Sequence, residues 1–397
     1  MKILSVNAGS SSLKFTLFEM PAGVELIGGY FEKIGLDDSF YSIKINGEKI
    51  KKQALIKDHK EAVNVLINEL LENNIIASLD EIDGVGHRLV HGGDKFSGSV
   101  VITDEVIDAV KECIPLAPLH NPANLTGVKA FMDSINVPNV GVFDTAFHQT
   151  MPEVNYLYPV PYELYENYKI RKYGFHGTSY KYITRTMKEK LGKDDVNLII
   201  AHIGSGGSLC CVKDGKSYDT TMGFSPNAGI MMGTRSADIA YTLIDYYMTQ
   251  TGASLKEVDT ILNKKSGLAG ISEGLSDARD VEEAIASGNK RAKLAYDMYV
   301  DKIAGFIAKY FVELEGNVDA LVLTAGVGEN GSEFRSMLMN KLACLGIKID
   351  EEVNGKIAAF KDIHEGVIST NDSSVRVEVL PTNEELMIAI DTYELIG

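Results

Sequence analysis

Three short segments rich in glycine, serine and asparagine follow apolar runs, and each has the composition of an anion cradle. The first, Asn7-Ala8-Gly9-Ser10-Ser11-Ser12-Leu13-Lys14, sets hydroxyls, bare backbone N–H groups and one ammonium between two strand-like runs. Such a turn can hold phosphate oxygens, because glycine lacks the Cβ barrier and successive amides converge on an anion. The same residue types also make an ordinary hairpin turn. The G-x-x-x-x-G-K-[ST] spacing of a strand-to-helix P-loop is absent. Gly204-Ser205-Gly206-Gly207-Ser208 offers a second set of close-approach amides, or a surface turn. Ala325-Gly326-Val327-Gly328-Glu329-Asn330 offers a third, in which glycines would let a flat nucleoside lie against the backbone.

The charged residues that could act with these turns are few. Arg88, in Gly86-His87-Arg88-Leu89-Val90-His91-Gly92-Gly93, is a cation inside an apolar run and must find an anion or reach solvent. Arg235, in Met231-Met232-Gly233-Thr234-Arg235-Ser236, is flanked by small groups that leave a guanidinium accessible. Two planar guanidinium forks suit a carboxylate and a transferring phosphoryl group, and internal salt bridges are the other use for them. Asp144 ends an apolar strand, where α/β proteins place catalytic groups, or else caps the next helix. His120, His176 and His202 lie beside turns, and none of these three takes part in an H-x-x-x-H or H-x-E spacing of a metal cluster. Asp277-Ala278-Arg279 can hold a ribose or purine, with Asp277 equally a helix N-cap. In Thr382-Asn383-Glu384-Glu385 the pattern predicts Thr382 as N-cap and Glu385 as its capping-box partner, which leaves Glu384 for a magnesium ion.

Positioning these residues calls for alternating strands and helices. Strands are predicted at Ile3–Val6, Phe15–Phe18, Val85–Val90, Val140–Asp144, Leu198–Ile203, Leu321–Thr324 and Val375–Leu380. Ala62, Val63, Leu66, Ile67, Leu70 and Leu71 form the stripe of an amphipathic helix, and Asp297–Leu314 predicts a longer one. The recurring strand and small-residue turn predicts an α/β fold of two similar lobes, divided near the proline-rich stretch from Met151 to Pro161. At 397 residues the chain has room for two or three domains. Its 45% hydrophobic and 24% charged residues are those of a globular protein, and no apolar run reaches the roughly 18 residues of a membrane span. The opening M-K-I-L-S-V-N meets the first turn too soon for a signal peptide, so a cytoplasmic location is expected. A net charge of -16 argues against nucleic-acid or anionic-membrane partners. Cys113, Cys210, Cys211 and Cys344 form no C-x-x-C pair, which fits a reducing compartment.

Taken in order, N-A-G-S-S-S-L-K, G-H-R-L-V-H-G-G, P-L-H-N-P, F-D-T-A-F-H, Y-G-F-H-G-T-S, M-G-T-R-S, A-G-V-G-E-N and P-T-N-E-E span essentially the whole chain, which resembles the acetokinase family of the sugar kinase, heat-shock chaperone and actin superfamily. The resemblance implies two actin-like (ribonuclease H-like) lobes around a central nucleotide cleft, residues 1–148 with 381–397 forming one and 149–380 the other. It implies reversible in-line transfer of the γ-phosphoryl group of ATP to acetate, with Mg²⁺ or Mn²⁺, in a homodimer. On that basis Arg88 and Arg235 grip acetate and the phosphoryl group, Asp144 orients the arginines or metal, and His176 donates to equatorial oxygens. Val90, Leu119, Phe175 and Pro226 would line a methyl-sized pocket, with His120 and His202 as secondary contacts. Ser10, Ser12, Lys14, His202, Gly204, Ser205 and Gly206 would meet the phosphates. Asp277, Ala278, Arg279, Gly326, Val327, Gly328 and Asn330 would surround adenosine, and Asn7 and Glu384 would serve the metal.

The chain departs from the family pattern in places. Ser205 stands where H-L-G-N-G places asparagine, Asn227-Ala228 where P-L-E-G is usual, and Ala237, Ile239 and Ala240 within the S-G-D segment; Glu273 replaces a small residue. These changes leave open propionate or butyrate as the acid, pyrophosphate as the phosphoryl partner, and a non-catalytic nucleotide switch.

Overall fold

The computed structural model describes residues 1–45 and 47–397. By its internal contacts the chain forms two compact units, one of residues 1–149, 177–182 and 383–397, the other of residues 150–176 and 183–382.

The first unit is built on eight strands: β1 (Lys2–Ala8), β2 (Ser12–Glu19), β3 (Val24–Glu32), β4 (Phe40–Ile45), β5 (Glu48–Gln53), β6 (Ile82–Leu89), β7 (Val100–Val101) and β8 (Asn139–Phe143). Their order is β5-β4-β3-β2-β1-β6-β8-β7, with β1, β6 and β8 parallel and β1 to β5 an antiparallel meander. Alternation along β1 sends Leu4 and Val6 to one core, with Ala62, Val63, Leu66 and Leu70 of helix His59–Glu72 and Phe131 of helix Asn121–Ser134. Ile3 points the other way, onto Ala389 of helix Glu384–Ile396. Both faces of the parallel half are therefore covered, and β8 is buried at every residue.

The second unit contains β9 (Leu198–Ile203), β10 (Gly207–Lys213), β11 (Lys216–Thr220), β12 (Ala320–Thr324), β13 (Gly366–Val367) and β14 (Arg376–Val379), in the order β11-β10-β9-β12-β14-β13. β9, β12 and β14 run parallel, while β10 and β11 fold back antiparallel. Helix Lys290–Glu313 buries Tyr296, Tyr299, Ile303 and Ile307 in this unit's core. The segment β3-β2-β1-β6-β8 and the segment β11-β10-β9-β12-β14 share one topology, two antiparallel hairpins leading into two parallel strands. This is the ribonuclease H-like arrangement of actin-like ATPases, present once in each unit.

Two sequence expectations need correction. Ala325–Asn330, expected as a turn, is a short helix, with Ala325 at φ 64°; of its two glycines, Gly328 packs against the Leu323 backbone while Gly326 faces open space. The last helix is capped by Asn383, whose side chain accepts the Leu386 N–H at 2.9 Å, and not by Thr382. Asparagine is an excellent cap, and its use shifts the helix start by one residue, so that no capping box forms with Glu385.

Candidate active site

In the first unit, a cavity of about 460 Å³ is lined by Asn7, Gly9, Ser12, Lys14, Arg88, Val90, His120 and Asn124. Asn7 ends β1 and Lys14 begins β2, so the turn between them forms one wall. That turn is tight: the Gly9 N–H donates to the Ser12 carbonyl at 2.9 Å, and a Cβ on Gly9 would lie 2.6 Å from the Ser12 hydroxyl. His59 Nε2 and the Gly9 carbonyl, 2.8 Å apart, hold the turn from below. Ser10 is exposed at its tip and does not line the cavity.

Arg88 projects from the end of β6. Its Nε and Nη2 donate side-on to Asp144 Oδ1 and Oδ2 at 2.9 and 2.6 Å, which leaves the Nη1 N–H groups for a second anion. Asp144 is almost wholly buried just past β8, and its charge raises the Arg88 pKa, keeping the guanidinium charged. Both readings of Arg88 thus hold at once: it has an internal partner and it faces a cavity. Asn124 ties the walls together, accepting the Val90 N–H at 3.0 Å and donating to the Ala8 carbonyl at 2.8 Å. Leu119 is not gathered in; it stands 80% exposed.

Glu384, first residue of the last helix, is half-buried, and its Oε1 is shut off from solvent with no hydrogen-bond donor. Burial raises its pKa foremost; the charges of Asp144 and Glu385 raise it further, while Arg88 and Lys14 oppose them. Lys14 is not a free ammonium, since it forms an ion pair with Glu385. The described residues contain no group of three or more His, Cys, Asp or Glu side chains placed to hold a metal ion by themselves. An orphaned, strongly disfavoured carboxylate oxygen fits a hard divalent cation of the Mg²⁺ type, which takes one or two carboxylates and completes its shell with water and substrate phosphates.

In the second unit the β9–β10 hairpin gathers another group. His176, at φ 56°, opens helix Gly177–Leu191; its Nδ1 lies 2.8 Å from Ser208 Oγ, and its ring stacks on His202 with centroids 4.2 Å apart. Phe175 beside it is buried. Arg235 lies over Gly206, where a Cβ would sit 3.6 Å from Nη1. It donates to the Pro226 carbonyl at 3.1 Å and has no carboxylate partner among the described residues. Burial lowers its pKa. A half-buried guanidinium with no carboxylate of its own is suited to receive an anion.

A second cavity, of about 540 Å³, has the size of a nucleoside site. Gly204 and Ser205 line it together with Asp277, Ala278, Arg279, Glu282, Tyr299, Gly326, Val327, Asn330 and Phe360. Asp277 does cap helix Ala278–Ala286, accepting the Arg279 N–H at 2.9 Å, and its carboxylate also pairs with the Arg279 guanidinium, so the pair presents a fixed edge to the cavity. Gly328 faces away, packed on the Leu323 backbone.

Sequence reasoning passed over the residues that hold this wall. Fully buried Arg335 donates to the carbonyls of Gly328, Glu329, Asn354 and Ile357, pinning the short helix Ala325–Asn330. Glu329 accepts the Ala325 N–H at 2.7 Å, bracing that residue's left-handed backbone. Among the departures, Ala237 and Glu273 occupy positive φ angles of 58° and 66°, where small residues are favoured; Glu273 pairs with Arg291.

Comparison with known proteins is decisive. The model of the acetokinase family matches residues 2–390. The chain belongs to the acetokinase family. It is 51% identical to the acetate kinase of Geobacillus sp. (strain WCH70), over 99% of this chain and 98% of that one. The crystal structure of Porphyromonas gingivalis acetate kinase superposes with a TM-score of 0.94 at 45% identity, covering 100% of both chains. A propionate kinase from Francisella tularensis subsp. tularensis SCHU S4 superposes with a TM-score of 0.92 at 41% identity, covering 99% of each.

Proposed function

We infer that this acetokinase catalyses ATP-dependent phosphorylation of acetate with Arg88 and Arg235 as its two anion-binding groups, and that the observation carrying this reading is Arg88 itself, locked by Asp144 yet facing a cavity beside Val90. A carboxylate is already a nucleophile, so no general base is required. What the reaction needs is orientation of two anions and neutralisation of the charge on the phosphoryl oxygens during in-line transfer. Asp144 orients Arg88, which grips the acid. Arg235, unpartnered by any carboxylate, takes the phosphoryl group, and His176, held by Ser208, donates to its equatorial oxygens. Gly204, Ser205 and Gly206 receive the phosphates, and the cavity of Asp277, Ala278, Arg279, Gly326 and Val327 receives adenosine. Ser205 is a shorter donor than the asparagine usual there.

Glu384 and Asn7 would hold Mg²⁺, which supplies charge neutralisation on the bridging phosphate oxygens when bound. Because the folded-state pKa of Glu384 is raised, its carboxylate form is lost as pH falls through a window above the ordinary carboxylate range. Mg²⁺ affinity is therefore expected to fall in that window, and Glu384→Gln to abolish the dependence. The linkage has the opposite sense for stability: a raised acid contributes stability below the unfolded pKa and loses it as pH rises through the folded one. Glu384→Gln is thus expected to stabilise the metal-free chain at neutral pH, by about 1 kcal/mol in denaturant titration. Unchanged stability together with unchanged Mg²⁺ affinity would remove Glu384 from the metal site.

Acid selection is assigned to Val90, Phe175 and Pro226, and not to Leu119, which is 80% exposed. One methylene changes discrimination only modestly, which accords with a propionate kinase sharing the fold. The homodimer and a cytoplasmic location belong to the same reading. Helix Thr242–Thr251 buries none of its residues although it carries Leu243, Tyr246 and Tyr247, an apolar face that suits a second copy. No helix among the described residues is long and apolar enough to cross a membrane. The functional reading is tested by ADP release with and without acetate: strongly acid-dependent turnover is expected, whereas equal rates would indicate a nucleotide switch.

A further inference from the structure

One carboxylate in the second-unit cavity has no part in the reaction described above. Ala278 and Glu282 lie one helical turn apart and therefore on one face of helix Ala278–Ala286, and both line the cavity. The same cavity presents apolar surface from Tyr299, Val327 and Phe360 beside its polar edge of Asp277, Arg279 and Asn330. A carboxylate among such groups must have a donor to justify its place. It has one on one side only. The Tyr296 hydroxyl, from helix Lys290–Glu313, donates to Glu282 Oε1 and so fixes the plane of the carboxylate, while Oε2 has no protein donor among the described residues. No cation among the described residues pairs with Glu282, and Asp277 and Glu333 add like charge nearby.

We propose that Glu282 Oε2 accepts a hydrogen bond from the exocyclic amine of the bound purine, and so selects ATP over nucleotides that carry oxygen at the same ring position. Adenine offers an N–H donor there, which compensates a carboxylate that burial disfavours. A 6-oxo purine presents an acceptor at that position instead, setting one partial negative charge against another, and its nearest donor, the N1–H, lies one ring position away. Discrimination of this kind, by a polar group left unpaired, is far stronger than discrimination by shape in an apolar pocket. Tyr296 is a positioning residue for the same contact.

The inference rests on the assignment of this cavity to adenosine, and the experiment separates the two. kcat/KM is measured for ATP and for inosine triphosphate, which differs from ATP at the purine 6-position and at the adjoining ring nitrogen, using the full-length chain, Glu282→Gln and Val327→Trp. The unmodified chain is expected to favour ATP by about tenfold or more, the worth of one hydrogen bond to a charged acceptor. Glu282→Gln keeps the side-chain volume and still accepts from Tyr296 through Oε1, which turns its amide N–H groups toward the base. Its ATP-to-inosine-triphosphate ratio is expected to fall to about one, with the KM for acetate unchanged. A purely structural role would weaken both nucleotides equally and leave the ratio intact, and that result overturns the proposal. Val327→Trp fills the cavity and is expected to raise KM for both nucleotides. If it does not, the adenosine assignment fails and the proposal with it; if it does while the Glu282→Gln ratio stays put, only the role of Glu282 fails.

Discussion

Arg88→Ala is expected to lower kcat for acetate phosphorylation by at least about 10²-fold, the scale set by removing one preorganised donor to a charged transition state. Arg88→Lys is expected to fall nearly as far. A single ammonium cannot span both Asp144 oxygens and still present N–H groups to a second anion, as the side-on geometry of Arg88 does. Stability should suffer too, because Asp144 lies almost wholly buried just past β8 and loses its partner. Breaking such a pair from one side costs roughly 3 kcal/mol. Denaturant titration reads that loss, and steady-state kinetics on the folded fraction read the other. Near wild-type turnover by folded Arg88→Ala would defeat its assignment.

Arg235→Ala is expected to match that kinetic loss, at least about 10²-fold in kcat, but with a different signature in stability. Among the described residues its guanidinium donates to the Pro226 carbonyl and the Met232 sulfur, and no carboxylate there is stranded by its removal. Burial already disfavours its charge. The variant should therefore unfold within about 0.5 kcal/mol of the parent, or slightly later. Two arginines with equal kinetic effects and unequal effects on stability would distinguish a group held by the protein from one held in readiness for substrate. Unaltered turnover would remove Arg235 from the phosphoryl site.

Much of this framework could be read from the chain. The apolar runs at Ile3–Val6, Phe15–Phe18 and Leu198–Ile203 lie within β1, β2 and β9, because strands buried on both faces leave an unbroken hydrophobic signal. β3, β4 and β5 passed unnoticed: half-exposed meander strands, rich in lysine toward β5, carry little of it. The long helix begins at Lys290, seven residues before the predicted start, because Asn289 caps it. Among the site residues, turn chemistry pointed to Asn7 through Lys14 and to Gly204 through Ser208. The Arg88 and Asp144 pair spans 56 residues of sequence, and neither its partner choice nor its side-on geometry is a local property. For the same reason Asn124 and Arg335 were invisible, since each acts on backbone groups that the fold brings near, as Glu329 does in accepting the distant Thr382 N–H. Lys14 looked like a free phosphate ligand until the fold brought Glu385 to it.

The central claim is phosphoryl transfer to a short carboxylate, and trapping the product tests it most directly. With hydroxylamine present to convert acyl phosphate to hydroxamate, the purified chain is offered ATP or pyrophosphate with acetate, propionate or butyrate. Hydroxamate is expected with ATP and acetate, dependent on Mg²⁺, with less from the longer acids and none from pyrophosphate. Absence of hydroxamate in every combination would contradict the account.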